Sequence, residues 1–234
     1  MKLGLIGYGA MGQLVQKLAA EQGHVIALTL TADDADRHLD EVVAELRGCD
    51  VAIDFSVAGA VRKNIEACML AGVALVEGTT GWKVADELRR IVSDKDGALV
   101  YGANFSVGVQ VFYRISATAA KLFRNLESYD SFIEEGHHKR KRDAPSGTAL
   151  HLGKIVIEHL GREVPISSTR AGYFPGTHRV GFDSSADQIT LEHVARSREG
   201  FAAGALMAAQ WIIGRKGIYE FSEVFDEILK TNAP

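Results

Sequence analysis

Residues 2–12 read KLGLIGYGAMG, a short apolar run that breaks into three glycines, Gly7, Gly9 and Gly12. After them Leu14, Val15, Leu18 and Ala19 recur at helical spacing until Gly23. A strand therefore feeds a glycine turn, and the turn opens a helix. A dinucleotide-binding loop needs that order. Gly7 permits the tight turn, Gly9 lets a pyrophosphate approach the backbone, and Gly12 lets helix and strand pack closely. The N–H groups at the helix start then face the phosphates. A merely structural glycine turn is the bland alternative, and the place of the loop at the head of a βαβ pattern argues against it.

Outward from this loop the alternation continues. Val25 to Leu30 reads as a strand, Asp40 to Leu46 as a helix, Val51 to Phe55 as a buried strand and Val61 to Leu70 as a helix. Val73 to Val76 is a further strand, Val84, Leu88, Ile91 and Val92 form a helical stripe, and Leu99 to Tyr101 is a strand again. About five alternations imply right-handed crossovers and a doubly wound parallel sheet.

The pattern changes after Asn104. Val111, Phe112, Ile115, Ala119, Leu122 and Phe123 mark the apolar face of a long helix, Tyr129 to Glu134 reads as a strand and Gly147 to Leu160 as a helix. Strands follow at Ser167–Ala171, His178–Phe182 and Gln188–Ala195, then an apolar helix at Phe201–Ile213. A last stripe of Ile218, Phe221, Val224, Phe225, Ile228 and Leu229 closes the chain. The fold class expected is α/β: an N-terminal Rossmann-like doubly wound parallel sheet over 1–104 and a smaller α+β domain over 105–213.

The 234 residues are 47% hydrophobic and 24% charged, a soluble globular composition with ample chain for a core. A net charge of -4 argues against a general binder of nucleic acid, so any basic cluster is local. No apolar run is long enough to span a membrane, and glycines break the start of the chain too early for a signal peptide. Cys49 and Cys68 lack metal-ligand spacing and read as free thiols, which points to the cytoplasm.

Three further stretches, DFS at 54–56, GTTG at 78–81 and ANFS at 103–106, each follow an apolar strand. In a doubly wound sheet all three line the rim beside the glycine loop, where small residues and amides suit a nicotinamide ring. At the end of the second strand Thr29 and Thr31 stand where an acid ordinarily binds the adenosine ribose, with Asp33 and Asp34 just beyond. Neither NADH nor NADPH is selected by that stretch.

Residues 134–150 read EEGHHKRKRDAPSGTAL. Ser146 and Thr148 open a helix whose N-terminus suits a carboxylate or phosphate, and His137, His138 and Lys141 arrive just upstream. On an extended segment neighbours alternate, which sets Lys139 and Lys141 on one side and Arg140 and Arg142 on the other. An exposed basic loop with an ordinary cap is the plain alternative. A nucleic-acid patch would need interleaved aromatics that are absent here.

These stretches, together with RAGYFPGTHRVGF and SREGFAAGA, make the chain resemble the 4-hydroxy-tetrahydrodipicolinate (dihydrodipicolinate) reductase family over nearly its whole length. The match to the family's E-x-H-H-x-x-K-x-D-x-P-S-G-T-A signature is long and specific. The resemblance implies an NAD(P)H-dependent reductase of the diaminopimelate route to lysine, acting on a small cyclic dicarboxylate. It implies Lys141 as proton donor, His137 as its catalytic partner, and His138, Ser146, Gly147, Thr148 and Arg198 as substrate ligands. It implies Gly7, Gly9, Ala10, Met11, Gly12 and Thr29 on the cofactor, with Phe55, Gly78, Thr79, Thr80, Ala103, Asn104 and Phe105 on the nicotinamide side, and no metal. It also implies that a helix within 214–234 returns to the cofactor domain, and that 105–213 binds substrate and joins a homotetramer. The chain is short between the second strand and DFS, which trims the adenosine wall. Another imine or amino-acid dehydrogenase, or a non-catalytic NAD(P)-sensing protein, would share the glycine loop but would not need PSGT after HHKRK.

Overall fold

A computed structural model describes residues 1–231. The chain forms two compact units: Met1–Ser106 with Arg198–Pro234, and Val107–Ser197.

The first unit is built on six parallel strands, β1 (Lys2–Ile6), β2 (Val25–Leu30), β3 (Val51–Asp54), β4 (Ala74–Glu77), β5 (Ala98–Tyr101) and β10 (Gly217–Glu220). Their order is β10-β5-β4-β3-β1-β2, and every pairing is parallel. All four residues of β3 are buried, as are the last four of β1. Helices cover both faces of such strands, so they read as apolar runs without alternation. Helices α2 (Leu39–Leu46), α3 (Val61–Ala71) and α4 (Asp86–Asp94) share one apolar cluster with Ala52, Leu75 and Leu99. Helices α1 (Ala10–Glu21), α7 (Glu199–Ile212) and α8 (Phe221–Thr231) pack with one another, α1 against α7 and α7 against α8. The strand order reverses between β1 and β3, and a crevice at strand C-termini lies at such a switch point.

The second unit has a four-stranded mixed sheet. Its strands β6 (Asp130–His137), β7 (Ile166–Arg170), β8 (Thr177–Asp183) and β9 (Gln188–Val194) run in the order β7-β6-β8-β9. Only the β6–β7 pairing is parallel. Helices α5 (Val107–Phe123) and α6 (Gly147–Leu160) bury Phe112, Tyr113, Leu152 and Val156 with Ile133, Val180 and Phe182 of the sheet. The Phe123 and Phe182 rings stack with centroids 4.2 Å apart.

Three expectations change. The helix at 199–212 belongs to the first unit, so the return begins at Arg198 rather than 214. The reason is Gly204, where a Cβ would stand 1.9 Å from the Phe105 carbonyl oxygen; only a helix bare at that point fits so close to the chain. Ile218 lies in the edge strand β10, not in the last helix. That helix ends at Thr231, and the last three residues of the expected 214–234 segment lie outside the described residues. On α5 the buried side carries Val109, Phe112, Tyr113, Ala120 and Phe123, whereas Val111, Ile115 and Leu122 are exposed.

Candidate active site

In the first unit the glycine loop takes the geometry its spacing requires. Gly7 has φ +85, and a Cβ there would meet the Phe55 carbonyl oxygen at 2.6 Å. A Cβ on Gly12 would stand 2.2 Å from the Gly7 carbonyl oxygen, while Gly9 opens onto free space. Gly9 caps α1 without a side-chain bond, and no acid sits in the first turn. The loop therefore presents backbone and the positive end of a helix dipole, which fits a dinucleotide pyrophosphate.

The neighbouring loops are joined to this one and to each other. The Phe55 ring lies over Gly78, where a Cβ would come within 2.2 Å of it. Its edge also meets Phe105, centroids 6.3 Å apart. Ser56 N–H donates to the Thr79 hydroxyl at 3.1 Å, and Ser106 N–H donates to Asn104 Oδ1 at 2.9 Å. Thr80 and Ala103 are exposed on the rim. Phe105 is buried and stacked on Phe221, centroids 4.5 Å apart, so it serves packing and has only backbone to offer a ligand. Thr29 lies inside β2, paired with Leu5. The first residue past that strand is Thr31, which caps a short 3-10 turn at Ala32–Asp34.

In the second unit the register of the sheet assembles a polar cluster. Glu135 and His137 are two apart on β6 and share a face. Glu135 is paired with Ser168 on β7 and His178 on β8, and His137 with Arg170. Glu135 Oε1 accepts from Arg170 Nη2 at 2.6 Å, Ser168 Oγ at 2.8 Å and the Ser146 N–H at 3.0 Å. The Ser146 hydroxyl accepts from the Ala149 N–H, closing the cap of α6, and lies 3.3 Å from His178 Nε2. Arg170 Nε also donates to the Asp143 carbonyl at 3.2 Å. One buried carboxylate thus fixes both the helix start and the loop that leads into it.

Burial alone would raise the Glu135 carboxyl, but hydrogen bonds from Ser146, Arg170 and Ser168 outweigh it and hold the group at about 2. Burial lowers His137, and it lowers His178 to about 4 with help from the His137 charge. Both imidazoles are therefore neutral at neutral pH. Glu135, His137 and His178 bring ligand atoms within 4.8 Å of one another. Arg170 pairs with the same carboxylate, so a metal ion held by the trio would face a fixed guanidinium.

The basic run is a turn rather than an extended segment, with Lys141 N–H bonded to the His138 carbonyl at 3.0 Å. Lys139, Arg140 and Arg142 consequently all face solvent, and Lys141 alone of the four is drawn in. Its Nζ lies 2.9 Å from Asp143 Oδ1. The same carboxylate accepts the Gly147 N–H and is held below the usual range, first by the Lys141 bond. Thr148 hydrogen-bonds Tyr113, whose hydroxyl burial pushes up to about 12. A carboxylate is therefore already gripped between Lys141 and the start of α6.

His137, His138, Lys141, Ser146, Gly147 and Thr148 all come together in this unit. Arg198 belongs to the first unit, where it precedes α7. Sequence reasoning missed Glu135, Arg170 and His178. His178 carried a signal, since it shares an i, i+2, i+4 face with the buried Val180 and Phe182.

A family model described as "Dihydrodipicolinate reductase, N-terminus" matches residues 1–105, and one described as "Dihydrodipicolinate reductase, C-terminus" matches 108–225. A 4-hydroxy-tetrahydrodipicolinate reductase of Christiangramia forsetii is 37% identical, over 98% of this chain and 100% of its own. One of Methanosarcina barkeri is 38% identical, over 80% of this chain and 77% of its own. Among solved structures, a dipicolinate-bound dihydrodipicolinate reductase from Paenisporosarcina sp. TG-14 superposes with a TM-score of 0.74 at 21% identity, covering 96% of this chain and 99% of that one. An amine dehydrogenase from Mycobacterium smegmatis shares the fold at a TM-score of 0.63 and 10% identity, covering 95% of each chain.

Proposed function

The chain belongs to the dihydrodipicolinate reductase family, and from that premise we propose how it reduces 4-hydroxy-tetrahydrodipicolinate to tetrahydrodipicolinate, on the diaminopimelate route to lysine. The 4-hydroxyl leaves as water together with a proton from the adjacent ring carbon, and NADH or NADPH, when bound, would supply the hydride to C4 of the unsaturated ring that results. Gly7, Gly9, Ala10, Met11 and Gly12 hold the pyrophosphate. Phe55, Gly78, Thr79, Thr80, Ala103, Asn104 and the backbone of Phe105 hold the nicotinamide side.

The substrate reading is carried by the carboxylate of Asp143, held between Lys141 and the α6 N-terminus. A substrate carboxylate that displaces it meets the same ammonium and the same N–H groups. Ser146, Gly147, Thr148 and His138 then orient the ring. Lys141 gives its proton to the carbon next to C4 and offsets the negative charge that develops there. His137, neutral at working pH, orients and hydrogen-bonds rather than acting as the acid. Arg198 contributes a further cation to a substrate carboxylate.

On the adenosine side Arg37 is engaged by Asp34 at 3.3 Å, Glu41 at 3.6 Å and Glu45 at 2.7 Å. A guanidinium so occupied is a poor partner for a 2′-phosphate, which favours NADH. Exposed Val111, Ile115 and Leu122 on α5, with Ile189 and Val194 on β9, support assembly through the second unit as a homotetramer. The setting proposed is the cytoplasm.

The test is loss of NADH or NADPH absorbance, with the cyclic substrate generated in the cuvette by the preceding pathway enzyme, for wild type and Lys141→Ala. Oxidation that disappears in the variant supports the assignment. Near-normal turnover in Lys141→Ala removes lysine from the proton step. Strong inhibition by pyridine-2,6-dicarboxylate separates this reading from an imine or amino-acid dehydrogenase on the same scaffold.

A further inference from the structure

Asp54 and Glu77 end the adjacent strands β3 and β4, are paired directly across the ladder, and are both wholly buried. Three donors converge on Asp54: the Ser56 N–H at 2.7 Å and the Thr79 hydroxyl at 3.3 Å on Oδ1, and the Asn64 amide at 2.6 Å on Oδ2. Glu77 takes the Thr79 N–H, at 2.7 Å on Oε1, and a bond from the Thr79 side chain. Among the described residues its Oε2 is buried without a donor, and the group beside it is the Asp54 carboxylate. Two carboxylates so placed need one proton between them.

We propose that the Asp54–Glu77 acid pair is a positioning device for the cofactor, a proton-bridged clamp that holds the DFS loop to the GTTG loop. The inference rests on the cofactor role of those loops. Each acid bonds the main chain two residues further along, Asp54 to Ser56 and Glu77 to Thr79, and Ser56 N–H and the Thr79 hydroxyl then bond each other. Phe55 and Gly78 lie inside the two clamped turns, so the pair sets how the ring of one covers the backbone of the other.

Burial, then the Asp54 charge, push Glu77 up to about 9, so the bridging proton is in place at neutral pH. Its loss would leave two adjacent buried anions short of a donor and force the loops apart. The other titratable groups facing the pair are Cys68 on α3, pushed well up by burial and by the two acids, and Tyr101, beside Glu77 on β5. The buried face of α7, packed on β3 and β4, carries Ala202, Ala205, Ala208 and Ala209 and no ionisable side chain.

The experiment is fluorescence titration of the full chain with NADH as pH is raised, with near-UV circular dichroism to confirm folding. Wild type should bind with a Kd that is level to about pH 8 and rises about tenfold by about pH 10. Glu77→Gln keeps a donor toward Asp54 and cannot ionise. Its Kd should match wild type within about twofold at neutral pH and stay level to about pH 10. Glu77→Leu strands the Thr79 N–H and should weaken binding several-fold at every pH. An alkaline rise that persists in Glu77→Gln, or a Glu77→Leu protein that binds like wild type, overturns the clamp while the cofactor site stands. Wild type that binds neither NADH nor NADPH at neutral pH overturns both.

Discussion

Lys141 holds its ammonium 2.9 Å from the carboxylate of Asp143, two residues further along the same loop. Lys141, proposed above as the proton donor, therefore has an internal anion with which a substrate carboxylate would compete. Asp143→Asn removes that competitor and should tighten pyridine-2,6-dicarboxylate by roughly 2- to 5-fold, within the range of a partly exposed ion pair. Calorimetric titration of variant and wild type reads the change, and equal affinities would show that Asp143 does not occupy the substrate position. Lys141→Arg should not restore kcat, because a guanidinium gives up its proton poorly.

Glu135→Gln should destabilise the second unit by on the order of 3 kcal/mol at neutral pH, because Arg170 is left without its buried counter-charge. The Glu135 carboxyl falls from 4.5 to about 2 on folding. Its contribution is complete above 4.5 and is lost as pH falls toward 2. Thermal melts of wild type and variant should converge as the pH approaches 2 and differ most at neutrality. Parallel curves at every pH would count against an ionised Glu135.

His178 moves the other way in sign of charge. Its ring falls from 6.5 in the unfolded chain to about 4 when buried, so the unfolded state binds the extra proton between those values. Stability is complete above 6.5 and declines as pH falls toward 4. His178→Gln should flatten that part of the melting profile while preserving a partner for the Ser146 hydroxyl.

NADH should give the higher kcat/KM, by about tenfold if one phosphate–cation pair separates the two cofactors. Glu45→Gln, which removes the closest of the acids on Arg37, should narrow the ratio. A wild-type preference for NADPH would mean that Arg37 leaves its acids when the cofactor binds.

The glycine loop and the α6 start could be read from sequence because each is a local backbone requirement. Gly7, Gly9 and Gly12 act within one turn, and Ser146 caps the helix it precedes. Glu135 could not be read as the centre of its cluster, because its partners Ser168, Arg170 and His178 reach it only through strand register. The Asp54–Glu77 pair was hidden for the same reason. Two loops that look independent in sequence are joined by residues side by side on neighbouring strands. On α5 both sides are apolar enough to pass for the core, and only packing against α6 and β9 separates Phe112 from Ile115. β10 escaped because four residues running straight into Phe221 continue a helical stripe.

The return of the chain at Arg198 bears on how the protein is made. During synthesis, residues 107–197 emerge as one contiguous stretch with all of their own sheet. The parallel sheet, by contrast, still lacks its outer strand until Gly217–Glu220 has been translated to pair with Ala98–Tyr101. Until α8 follows, Phe105 has no Phe221 to stack on. A chain ending at residue 213 would therefore hold a complete insertion and an incomplete host, with an open sheet edge exposed to aggregation. The cofactor-binding unit therefore closes only after the insertion it carries has been made.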